Sequence, residues 1–172
     1  MKVLIDGYNL LQAAGLFGSA AGVGTLASAR IVLLDYLVEA LGAADGKRMV
    51  VVFDAAAAPP GLPSVMDHDG LTVRFSRREG SADELIEELI EAEADPRNLT
   101  VVSSDHRVQR AARRRRALPV DSQDWYRELR AKGDRGRAKA DGAEAEGKLG
   151  AMGLENPFPA GYLEDVEREF GE

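Results

Sequence analysis

The sequence predicts an α/β protein built on a parallel sheet covered on both faces. Two observations carry this. Runs such as "KVLI", "RMVVVFD" and "NLTVVSSD" are continuously apolar, as strands are when both faces of a sheet are buried. Segments of helical periodicity separate them, which is the alternation that builds βαβ units. At 172 residues the chain has room for one domain with a real core and not for two comfortable ones.

The elements follow in order. Residues 2–5 read as the first strand, ending at Asp6. After a Gly/Ala-rich loop (15–24), Leu26, Ala29, Leu33, Leu37 and Leu41 recur at helical spacing, with Thr25 placed as N-cap and Gly42 as the C′ residue. A second strand over 48–54 ends, again, at an aspartate, Asp54. "AAAAPPGLPSVMDHDG" reads as a breaker-rich loop and "LTVRFS" as a third, alternating strand. "SADELIEELIEAEAD" is a helix with Leu85, Ile86, Leu89 and Ile90 on one face. A fourth strand leads into an arginine-rich helix, "ALPV" is a short fifth strand, and "DSQDWYRELRAK" closes a domain spanning residues 1–131. From residue 132 the composition turns polar and Ala/Gly-rich, predicting a linker. Leu163, Val166 and Phe170 give the 132–172 extension a terminal amphipathic helix, free to dock on the body, a second copy or a partner.

Composition removes several function classes. Cysteine is absent, so there is no disulfide framework and no thiolate metal site, in keeping with a reducing compartment. Only Lys2 stands between Met1 and the first strand, and no run reaches the ~18 apolar residues of a membrane span. A cytoplasmic location with no membrane partner is expected. The net charge of −7 argues against generic nucleic-acid binding, which needs Lys and Arg on phosphates. The charge is unevenly placed, however: "RVQRAARRRR" holds six arginines and no acid. Local patches outweigh the sum.

Acids collect where the strands end. Asp6 and Asp54 end strands, Asp105 follows the fourth strand, and Asp83 opens the helix after the third. A parallel sheet brings all four to one edge, where ligands of such sheets bind. Two like charges ~4 Å apart cost on the order of 4 kcal/mol at an effective dielectric near 20. Shared protons or a divalent cation relieve that cost. Oxygen donors without Cys or a suitably placed His select Mg²⁺ or Mn²⁺ over Zn²⁺, and such ions support phosphodiester hydrolysis. Asp6, Asp83 and Asp105 are the candidate catalytic ligands, with Asp54 a further metal candidate. Each also has a plainer role open to it, as strand terminus, turn former or helix cap.

Neighbouring residues divide in the same way. Asn9 is a neutral ligand, a turn former or, the favoured reading, a donor that orients Asp6. Ser81 and Glu84 have capping-box spacing, which leaves Asp83 free to face the site. Glu87 reads as exposed, while Ser103 and Ser104 are equal candidates for hydroxyl helpers. Asp121 and Asp124 are explained as caps of the last helix. Arg107, Arg110, Arg113 and Arg114 cluster on one helical side, and Arg107 and Arg110 start beside the acids, well placed for phosphates. Arg30, Arg77 and Arg78 are expected to add to that rim. His68 reads as solvated in a loop and His106 as a surface residue, so neither a Ser-His-Asp nor a zinc mechanism finds its partners.

"VLIDGYNLL", "VVFDA", "GSADELIEELI" and "VVSSDHRVQR", in that order, resemble the YacP-type NYN domain, a branch of the PIN-like nuclease superfamily. The resemblance covers residues 1–130. It implies a three-layer α/β/α sandwich around a central, mostly parallel sheet, and a Mg²⁺- or Mn²⁺-dependent endoribonuclease acting on messenger RNA in the ribosome. It implies Asp6, Asn9, Asp83 and Asp105 as the acidic centre, with Asp54 at its edge. From the residues themselves, Asn9, Ser104, Arg107, Arg110 and Arg30 are the candidates on the substrate side. The rival is a non-catalytic RNA- or ribosome-binding domain of the same fold. An aspartyl-phosphate phosphatase would need a second Asp two residues after Asp6, where Tyr8 stands.

Overall fold

The computed structural model describes residues 2–16, 26–54, 64–77 and 79–144, with backbone alone at 43–44 and 134–144. The elements are β1 (Lys2–Asp6), α1 (Gly7–Ala13), α2 (Leu26–Gly46), β2 (Met49–Phe53), β3 (Val65–His68) and β4 (Leu71–Phe75). They continue with α3 (Ala82–Ala92), a 3₁₀ turn (Pro96–Asn98), β5 (Leu99–Val102), α4 (His106–Arg114), β6 (Leu118–Val120) and α5 (Ser122–Glu144). The sheet order is β3-β4-β2-β1-β5-β6, parallel throughout except for the β3–β4 pair.

Strand side chains alternate between faces, and the core divides accordingly. Ile5, Val51, Val73 and Val102 pack with Leu33 and Leu37 of α2, Leu10 of α1 and Leu129 of α5. Leu4, Val52 and Val101 pack on the other face with Ile86 and Ile90 of α3 and Val108 and Ala112 of α4. The result is the three-layer sandwich, with the strands apolar on both faces because helices cover both. Each Leu or Ile so buried contributes about 1.5–3 kcal/mol.

β1 lies in the middle of the sheet. The chain builds outward from it through β2 and β4, then crosses to its other side for β5 and β6. The carboxyl ends of β1 and β5 therefore flank the point where strand order reverses, the place where open α/β sheets leave a crevice.

Four expectations are corrected. The breaker-rich loop contains a strand: β3 pairs antiparallel with β4 across a turn at Asp69 (φ 50°) and Gly70 (φ 89°). An Asp-Gly pair suits a two-residue hairpin because both positions take positive φ. His68 is consequently not solvated in a loop; it lies in β3, and its Nε2 is hydrogen-bonded to Asp35 of α2. A short helix, α1, follows Asp6 directly, where the sequence suggests only a turn. The polar stretch read as a linker from residue 132 stays helical to Glu144, so the composition break falls inside α5. Gly42 does adopt the left-handed conformation expected of a C′ residue (φ 70°), though helical turns resume beyond it. The amphipathic segment around Leu163, and Thr25 and Arg78, lie outside the described residues.

Candidate functional site

Asp6 ends β1 and also N-caps α1, so its carboxylate is held where the strand turns into the helix. It is 2% exposed, and an ionised carboxylate so buried is costly unless hydrogen-bonded. Three donors converge on it: the Asn9 amide at 3.1 Å, Asn9 Nδ2 at 2.6 Å and the Ser103 hydroxyl at 2.9 Å. Burial nevertheless outweighs them and lifts the Asp6 pKa above its ordinary value. Asn9 thus donates to Asp6, the geometry favoured for it. Ser103, fully buried just past β5, is oriented in turn: its oxygen accepts the Asp105 amide at 3.1 Å, which leaves its proton for Asp6. Gln109 Nε2 holds the Ser103 carbonyl at 2.9 Å.

Asp105 caps α4, accepting the amides of Arg107 and Val108. Asp83 stands in the first turn of α3, after the Ser81–Glu84 capping box. Its pKa is raised, first by burial and then by the negative charges of Asp6 and Asp105. Three elements therefore bring Asp6 and Asp105 near enough for their charges to act on Asp83. Asp83 is the one of the three with no hydrogen-bond partner among the described residues.

Their chemistry suits a hard divalent cation; their placement falls short of a finished cage. Among the described residues, no group of three or more His, Cys, Asp or Glu side chains could hold a metal ion as it stands. The physical reason lies in the caps, because Asp6 and Asp105 are each drawn back onto the amides of their own helices. Asp54, half-buried, accepts the Ser76 hydroxyl at 3.2 Å and acts electrostatically on Tyr8, which places it to one side of the trio.

The structure redistributes the other candidates. Arg30 is not on a rim: it is 5% exposed, its guanidinium 5.9 Å from the Phe53 ring centre and 5.5 Å from that of Phe75. Ser104 faces α5, accepting the Ser122 amide at 3.2 Å and lowering the Asp121 pKa by hydrogen bonding, so Ser103 is the hydroxyl that serves Asp6. Glu87 is not merely exposed; it grips Arg107, with Nε to Oε1 at 2.8 Å and a second contact at 3.3 Å. Arg107 is half-exposed but already occupied, whereas Arg110 is exposed and has no partner among the described residues. Gln109 gives no signal in the sequence. Its place in the first turns of α4, reaching back under Asp105, is visible only once β5 and α4 are joined in space.

The YacP-like NYN domain family matches residues 3–158 of this chain. In shape, the chain is similar to the crystal structure of Rae1 (YacP) from Bacillus subtilis. Identity is 26%, covering 85% of this chain and 83% of that one, with a TM-score of 0.64. It is likewise similar to a tryptophan-to-leucine mutant of that Bacillus subtilis protein, at 25% identity over 85% of this chain and 86% of the other, again with a TM-score of 0.64. No curated protein matches.

Proposed function

Because the chain belongs to the YacP-like NYN domain family, whose fold is that of nucleases, we propose that it is a divalent-metal-dependent endoribonuclease. The observation that carries this reading is the approach of Asp6, Asp83 and Asp105 at the switch point of the sheet, where burial and then the charges of the other two raise the Asp83 pKa. Asp6, Asp83 and Asp105 would hold Mg²⁺ or Mn²⁺, with Asp54 at the edge. When bound, such an ion supplies polarisation of the phosphoryl group and a lowered pKa for water.

The chain's own groups do the rest. Ser103 and Asn9 keep Asp6 oriented and favour its ionised form against burial. Asp83, with no hydrogen-bond partner among the described residues, is the carboxylate free to swing inward. Arg110 meets the RNA backbone, and Arg107 joins it when phosphate displaces Glu87. Messenger RNA, cut on the ribosome in the cytoplasm, is the substrate and setting in keeping with the family. Among the described residues no helix is long and apolar enough to cross a membrane.

A non-catalytic RNA- or ribosome-binding domain is the second reading, favoured by the lack of a gathered metal-ligand group among the described residues. Labelled RNA incubated with Mn²⁺, with and without ribosomes, separates the two. Cleavage that chelator or Asp105→Asn abolishes supports the nuclease. RNA bound but never cut overturns it, and cleavage only with ribosomes assigns the setting.

A further inference from the structure

α3 separates the carboxylate edge from a cavity on its other side. One of its flanks carries Asp83 and Glu87 toward Arg107 of α4, while Glu84, Leu85 and Glu88 line the cavity on another. This helix packs on β1 and β2, and beyond it the hairpin edge stands open: Val65, paired across the hairpin with Arg74, is 47% exposed. The cavity measures about 370 Å³, at the lower end of small-ligand sites.

Its lining is chemically unfinished. Arg74 Nε is buried without a hydrogen-bond partner, and the guanidinium has no ion pair among the described residues. Such a buried orphan donor calls for a partner. Glu88 and Glu79 also line the cavity, and neither is paired among the described residues, whereas Glu84 is committed to the Ser81 amide. Phe75 and Leu85 add apolar contact. A phosphate would satisfy Arg74, or Arg77 in the same lining, but would be repelled by Glu79, Glu84 and Glu88. A planar group with two acceptors on one edge and donors on another satisfies both, and among the bases guanine does so: O6 and N7 suit the arginine fork, and its amino edge suits a carboxylate. Ser76, in the same lining, donates to Asp54, so the cavity adjoins the cleavage edge.

We propose that this cavity is a base-reading subsite for single-stranded RNA, taking one unstacked guanine with Arg74 on its acceptor edge and Glu88 on its donor edge. The assignment rests on the ribonuclease reading. Its test is the binding of labelled hexauridylate, and of hexamers carrying one G, A or C, by anisotropy in chelator. The wild type should prefer the G-containing strand by about tenfold. Arg74→Lys should erase that preference, and Glu88→Gln, at an exposed position that folding tolerates, should reduce it; both should bind hexauridylate as before. No guanine preference in the wild type, or a preference that survives both substitutions, overturns the subsite. Cleavage assays with Mn²⁺ keep the two readings apart. Guanine-selective binding without cleavage refutes the nuclease and leaves the subsite, while cleavage without guanine selectivity does the reverse.

Discussion

The Ser103 hydroxyl meets the Asp6 carboxylate at 2.9 Å, joining the ends of two adjacent strands inside the protein. Neither residue is reached by solvent to any useful extent. Ser103→Ala should cost about 1.5–3 kcal/mol, the range for a hydrogen bond to a charged group. It should also raise the Asp6 pKa further and move the acid limb of the proposed RNA cleavage to higher pH. Urea melts and a pH–rate profile check both; an unmoved acid limb would show that Asp6 does not set it.

Asp83 makes stability depend on pH in a defined direction. Its folded pKa lies above the ordinary 3.8, so the folded chain binds its proton more tightly than the unfolded one. The contribution of Asp83 is therefore most favourable below that window and declines as pH rises through the raised folded value. In melts from about pH 3 to pH 7, wild-type stability relative to Asp83→Asn should fall as pH climbs. At neutral pH, Mn²⁺ should raise the wild-type Tm more than that of the variant. Parallel pH profiles would mean that Asp83 is under no electrostatic strain.

Gly7, the first residue of α1, lies against Phe53. A Cβ added there would sit deep inside van der Waals contact with the ring, which belongs to the packed core. Gly7→Ala should destabilise by about 1–3 kcal/mol, as overpacking does, and shift the cap that holds Asp6. Adding Phe53→Leu should recover part of the loss. If it does not, contact with Phe53 is not the cause.

Glu87 holds a cation proposed to meet RNA. Glu87→Gln removes the bidentate grip on Arg107 and one repelling charge from beside Asp83. RNA affinity at low salt should rise about two- to fivefold, and the gain should fade as salt is added. Filter binding at two ionic strengths measures this. An unchanged affinity would remove Arg107 from the RNA path.

The placement of the candidate acids was legible because local chemistry encodes it. Asp6, Asp83 and Asp105 stand where strands end or helices begin, and the Ser81–Glu84 box forms as its spacing implies. β3 was not legible, because its four residues alternate weakly and two are charged or titratable. Arg30 was misread because a lone arginine on a helix gives no sign that it will be buried over two aromatic rings. Ser103 and Ser104 are chemically identical neighbours. Only their opposite neighbours, Asp6 for one and Asp121 with Ser122 for the other, give them different work.

Amino-acid order alone determined the alternation of strands and helices, and with it a parallel sheet that carries its acids to one edge, since apolar periodicity and turn chemistry act over a few residues. Tertiary structure alone decided which hydroxyl reaches Asp6, that Glu87 occupies Arg107, and that Arg74 has no ion pair among the described residues beside an open cavity. Those outcomes depend on contacts between residues far apart in the chain, where a difference of an ångström separates a hydrogen bond from none.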